Sequence, residues 1–173
     1  KGNAEMKLAL DERIDVDAFI KTWRGLYADW IAKEAVPLKP GVREVLSHLN
    51  SLNIPIAVAT STRTEPAVNK LSMAGIFEHF DIVIGGDQVA HSKAYPDIFL
   101  KAAASLPCDP TSCLAFEDSP NGVRSAVAAG MTVVQIPDMI KPDVALLKLG
   151  HIVLDEISDV LTFDFEKHLN PAA

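Results

Sequence analysis

Cysteine is scarce: Cys108 and Cys113 are the only two among 173 residues, and their spacing matches neither a redox pair nor a zinc knuckle. Packing or a surface thiol is the role this leaves them. Positive charge is also short, with 16 Lys and Arg against 23 Asp and Glu, a net charge of -7 and a pI near 5.1. That balance argues against nucleic acid or an anionic membrane surface as a partner. No apolar stretch reaches the length of a membrane span, and no basic, apolar leader is visible, so a cytoplasmic location is the expectation. No G-x-G-x-x-G follows any strand-like run, which disfavours a dinucleotide-binding domain; Gly85-Gly86-Asp87 reads as a turn ending a strand. The five histidines, His48, His79, His91, His151 and His168, are scattered without metal-ligand spacing and read as structural or solvated. Internal repeats and low-complexity segments are lacking too, and the tail after Phe165 has no usable pattern.

The chain does have apolar content, 49% of its residues, which suffices for one compact domain with a real core and a small appendage. Over residues 15–35 the positions Val16, Phe19, Ile20, Trp23, Tyr27, Trp30 and Ile31 recur at three and four, the spacing of a helix. Trp and Tyr there read as core. Pro37 and Pro40 then break the chain and form the one plausible internal boundary. Gly41 precedes a second helix carrying Val42, Val45, Leu46 and Leu49.

Beyond it strands and helices alternate. The β-branched run 54–60 predicts a strand, 65–74 a helix stopped by Gly75, 80–84 a strand, and 96–106 a helix with Pro in its first turn. A third strand, 113–116, leads into a helix at 123–129 closed by Gly130. A fourth follows at 132–136, a helix at 142–149, and an edge strand at 151–154. Unbroken apolar strands alternating with helices imply a parallel sheet covered on both faces: a doubly wound, Rossmann-like α/β domain whose ligands sit beyond the carboxyl ends of the strands.

Three strand ends carry chemistry. The first delivers Thr60-Ser61-Thr62, then Arg63 and Thr64; hydroxyls and turn N–H groups can hold phosphate oxygens, although such a cluster is commonly just a helix cap. The second is followed by a loop with Lys93, whose ammonium can pair with a phosphate and with neighbouring carboxylates, or simply be solvated. The third ends in Glu117-Asp118. Adjacent acids at a sheet mouth repel each other and lose water, a penalty that a divalent cation with oxygen ligands, of which Mg2+ is the best suited, would remove. Alternatively, Glu117 caps the next helix and Asp118 sits in solvent.

These stretches resemble the haloacid dehalogenase superfamily, in particular its β-phosphoglucomutase-like phosphatases and mutases. The likeness rests on residues 56–61, on Ser92-Lys93 with Pro96-Asp97-Ile98-Phe99, and on Phe116-Glu117-Asp118-Ser119 with Gly122 and residues 128–131. It covers residues 40–136. The resemblance implies that Thr60 binds the transferring phosphoryl group with the Ser61 backbone beside it. Lys93 would neutralise phosphoryl and nucleophile, Asp118 would ligate Mg2+ with Glu117 assisting directly or through water, and Thr62 and Arg63 would touch substrate. Residues 1–36 would be a remnant of the family's helical cap and 37–173 its α/β core.

Two features depart from the family. Lys93-Ala94-Tyr95-Pro96 replaces the usual Lys-Pro-x-Pro. No apolar strand bearing D-x-D-x-T/V, whose first aspartate attacks phosphorus, occurs within residues 1–35; Asp15-Val16-Asp17 has the acid spacing but opens an amphipathic helix. The expected parent activity is therefore Mg2+-dependent phosphoryl transfer on a small phosphorylated metabolite such as a sugar phosphate, with this chain itself inactive. The alternative is a non-catalytic phosphate- or partner-binding module of the same fold. In the family's sheet the D-x-D strand lies between the strand ending at Thr60 and the one ending at Glu117, so either another segment fills that place or the flanking strands close up. Phosphatase versus mutase, substrate identity and oligomeric state are not legible.

Overall fold

The computed structural model describes residues 15–31 and 33–164; the stretch 1–14 and the tail from Phe165 onward, on which parts of the reading above fall, lie outside the described residues. By its internal contacts the chain divides into Lys1–Val36 and Pro37–Ala173.

The first unit contains helix α1, Val16–Ile31. Asp15 starts it, its carboxylate accepting the Ala18 N–H at 3.0 Å, so the acid of the Asp15-Val16-Asp17 triplet is a helix cap. The apolar periodicity is present, but the expectation of aromatic core is not met: Trp23, Tyr27 and Trp30 are 40–52% exposed. Trp23 stacks on Tyr27 with ring centroids 5.6 Å apart, and Trp30 meets Tyr27 at a tilt, 6.1 Å away. Spacings of four and three put them on one face whether or not that face is covered.

The second unit is the α/β body: α2 (Val42–Ser51), β1 (Ala57–Ala59), α3 (Thr64–Met73), β2 (Ile82–Ile84), α4 (Asp97–Ser105), β3 (Leu114–Glu117), α5 (Pro120–Ala128), β4 (Thr132–Gln135), α6 (Val144–Leu147) and β5 (Ile152–Val153), with short 3-10 turns between them. Every strand pairing is parallel. The strands are shorter than the apolar runs suggest because the run ends are taken by other partners. Pro55 has no N–H, and the Ile56 N–H is held by the Asp81 carboxylate at 2.8 Å. One core cluster centres on Ile84, Ile98, Val123, Ala126, Val133 and Leu146. A second joins Val45 and Leu49 of α2 to Val160. Among the described residues no helix is long and apolar enough to cross a membrane.

The sheet comes in two pieces, β1-β2 and β3-β4-β5. The Thr60 N–H donates to Ile84 and the Asp81 N–H to Ile56, so even-numbered residues of β1 face β2 while Ala57 and Ala59 face the other way. On β3, Cys113 and Glu117 accept from Thr132 and Ile136 of the β4 strand and its end, leaving the backbone of Leu114 and Phe116 turned away from β4. An apolar cavity of about 420 Å3 lies between these two edges, walled by α2 on one face and α4 on the other. The strands flanking the D-x-D position have not closed up.

Candidate active site

Two strands and a loop meet at one cavity of about 820 Å3, lined by Thr60 and Ser61 after β1, by Lys93, and by Glu117 and Asp118 at the end of β3. Because the C-terminal ends of β1 and β3 open onto the same cavity, the two sheet pieces run in the same direction. The rim is completed by Lys39, Asp138, Asp155 and Glu156, with Lys39 and Asp138 joined in an exposed ion pair of 2.5 Å.

Lys93 is the hub. Its ammonium donates to the Ala59 carbonyl at 2.9 Å, pairs with the Glu117 carboxylate and lies 4.9 Å from the centre of the Phe99 ring. The side chains of Lys93 and Glu117 are only 14% and 6% exposed, so neither charge is stable there without the other. Two of the three ammonium protons are committed to β1 and β3, so Lys93 ties the facing ends of the two sheet pieces together.

Helix α5 seats the acidic pair. Ser119 caps it, its hydroxyl accepting from the Gly122 N–H at 3.1 Å while donating to Glu117 at 3.2 Å, and Pro120 supplies the first turn. Gly122 has no side chain for a steric reason: a Cβ there would lie 1.9 Å from a Glu117 carboxylate oxygen. Glu117 is thus tucked beneath the helix start with both oxygens occupied, one by Lys93 and one by Ser119. Asp118 is exposed, and no described residue donates to its carboxylate. Its carbonyl accepts from the buried Gln135 amide at 3.3 Å, and Gln135 in turn contacts His151 at 2.8 Å.

At the other strand end, Thr60 accepts the Thr62 N–H at 3.1 Å, shaping the turn that presents Ser61. Gly86 N–H donates to the Thr62 carbonyl at 2.9 Å, and Asp87 accepts both the N–H and the hydroxyl of Thr64 at 2.7 and 2.8 Å. Those bonds hold the Asp87 carboxyl below the ordinary carboxylate range. The glycine turn after β2 therefore braces the loop after β1 and caps α3. A Cβ at Gly86 would meet the Ser61 carbonyl at 2.6 Å.

Of the residues singled out from sequence, the structure brings Thr60, Ser61, Lys93, Glu117 and Asp118 to one cavity, and Thr62 and Arg63 are not among those lining it. Asp87 and Gln135 were not singled out, and His151 was read only as structural or solvated. Gly85-Gly86 carried the only signal for Asp87, and nothing local marked Gln135 or His151.

The parallel α/β body thus brings hydroxyls, a lysine and an acidic pair from the ends of β1 and β3 and the loop after β2 to one cavity, a set of donors and charges that can face an anionic group. A sequence profile of the haloacid dehalogenase-like hydrolases matches residues 2–130, and the chain belongs to that family. It is similar to the phosphorylated carbohydrates phosphatase of Thermotoga maritima, 33% identical over 132 residues, 76% of this chain and 61% of that protein. The chain spans as little as 33% of the length of other curated relatives. Its fold is similar to that of a CbbY point mutant from Rhodobacter sphaeroides in complex with xylulose-(1,5)bisphosphate, with a TM-score of 0.70 at 26% identity, covering 87% of this chain and 68% of that one. β-Phosphoglucomutase from Clostridium difficile shares the fold at a TM-score of 0.72 and 23% identity, covering 97% and 72% of the two chains.

Proposed function

We propose that this chain is the phosphoryl-binding part of a phosphatase or phosphomutase acting on a small phosphorylated metabolite such as a sugar phosphate. The observation that carries the reading is Lys93, nearly buried and held at the junction of two strand ends, with Thr60, Ser61 and Asp118 around the same cavity. Phosphoryl transfer asks chiefly for charge neutralisation and in-line positioning. Lys93 has one ammonium proton left for a phosphoryl oxygen. The Thr60 hydroxyl and the Ser61 N–H supply neutral donors for others. Thr62 and Arg63 act only beyond the cavity wall, on the remainder of a substrate.

The donor set suits Mg2+: one exposed, unpaired carboxylate is what a hydrated hard cation shared with a phosphate needs from the protein. Asp118 would hold it, with Glu117 serving through Lys93 rather than as a direct ligand. The metal, when bound, would neutralise charge on the phosphoryl oxygens. Residues 1–36 are assigned to the helical cap, residues 37–173 to the core.

The covalent route further needs an aspartate nucleophile beside Lys93. We place it on a strand occupying the cavity between β1 and β3, where exposed backbone rows on both sides await a parallel neighbour. The chain of 173 residues alone is then inactive. Assaying it with an aryl phosphate and Mg2+ tests this: background rates are expected, and robust Mg2+-dependent turnover would contradict it. A binding module without chemistry is the second reading, favoured by the D-x-D of residues 15–17 being a helix start. Turnover gained on fusing an apolar D-x-D strand to the chain would exclude that module.

A further inference from the structure

We propose that Cys108 and Cys113 are a dithiol that closes to an intramolecular disulfide on meeting a small oxidising disulfide, which makes the turn ahead of β3 a site of redox modification. The pair lies outside the cavity of the phosphoryl site and lines the apolar cavity between β1 and β3. The two sulfurs lie 3.2 Å apart, and both cysteines are free and only partly buried. A disulfide needs about 2.05 Å between sulfurs, so closure asks for a movement of about 1 Å. The turn between them is fixed rather than loose. Asp109 accepts both the N–H and the hydroxyl of Thr111, at 2.8 and 2.7 Å. Both thiols also approach the same Asp109 carbonyl, at 3.5 and 3.3 Å. A spacing of five residues carries no redox signature in sequence, but this turn folds the two side chains onto one point.

The order of the chemistry follows from the surroundings. Burial first, and then the neighbouring Cys108 thiol, push the Cys113 thiol up to about 12, so Cys113 is not the group that attacks first. The Cys108 thiolate attacks one sulfur of the incoming disulfide, forming a mixed disulfide and expelling one thiolate. Cys113 gives up its proton to solvent and its sulfur attacks the Cys108 sulfur, expelling the second thiolate. Two cysteine thiols are oxidised, one external disulfide is reduced to two thiols, and no further oxidant is required.

Oxidised glutathione added to the native chain, with intact-mass spectrometry as the readout, tests the proposal. The expected product has lost two hydrogens, retains no glutathione and no longer reacts with a maleimide after denaturation. The Cys113→Ser variant, stripped of its resolving thiol, is expected to retain a single glutathione on Cys108. An unchanged mass, a stable glutathione adduct on the wild-type chain, a covalent dimer, or a Cys113→Ser variant that takes up no glutathione would each overturn the proposal.

Discussion

The Lys93 ammonium has the Glu117 carboxylate, a backbone carbonyl and an aromatic face as its surroundings, and a single substitution there disturbs folding as well as binding. Lys93→Ala leaves Glu117 buried with no opposite charge, a loss of roughly 3–5 kcal/mol. Chemical denaturation would read it as a lowered midpoint. Adding Glu117→Gln to Lys93→Ala should recover part of that loss, because the stranded charge is removed; a double variant as unstable as the single sum would argue against the pair. Gly122→Ala tests the same pair sterically. Its methyl occupies the place of the Glu117 carboxylate, so Glu117 must leave Lys93, and both stability and phosphate binding fall. Asp118 was legible in sequence because it stands directly behind an apolar run, and Lys93 because it lies in the loop between the second strand and the next helix. That Lys93 could pair with a neighbouring carboxylate was legible too; that it takes Glu117 and so removes it as a free metal ligand was not, since this depends on how a loop after β2 folds back over the end of β3.

At the scale of elements, the division of the sheet is the informative feature. Ala57 and Ala59 of β1 and Leu114 and Phe116 of β3 turn their backbone toward the apolar cavity, while their sequence neighbours bond to β2 and β4. Amide hydrogen exchange should therefore alternate along both strands, fast at Ala57, Ala59, Leu114 and Phe116 and slow at Val58, Thr60 and Ala115. Uniform protection along β1 and β3 would mean that the two strands pair with each other in solution. The order and type of these elements could be read from the alternation of β-branched runs with helical spacing. Strand ends could not, because Pro55 and the Asp81 side chain act there, the latter from a distance in sequence. The aromatic stripe of α1 stays 40–52% exposed where its spacing suggests core: periodicity reports which residues share a face, not what lies against it.

For the molecule as a whole, acid sensitivity is built into the end of β4. Burial holds the His151 imidazole below its ordinary range, and its Nδ1 has no partner. Its folded-state affinity for protons is lower than in the unfolded chain, so its contribution to stability is complete above about pH 6.5. It is lost as pH falls through the lowered folded value. Melting temperature should drop from pH 7 toward pH 5, and His151→Gln should flatten that slope. An unchanged slope in the variant would place the sensitivity elsewhere. Carboxylates held low by hydrogen bonds, Asp87, Asp97 and Asp109, act only at more acidic pH. None of this was visible along the chain, because His151, Gln135 and the Asp118 carbonyl meet only once three strand ends lie side by side.

Convergence of Thr60, Ser61, Lys93 and Asp118 on one anion is the centre of the account, and a titration of the isotopically labelled chain with inorganic phosphate in the presence of Mg2+, followed by amide and lysine NMR signals, measures it most directly. The amides of Thr60, Ser61 and Asp118 and the Lys93 ammonium are expected to shift together along a single binding curve. Phosphate that moves other residues while these four stay still would contradict it.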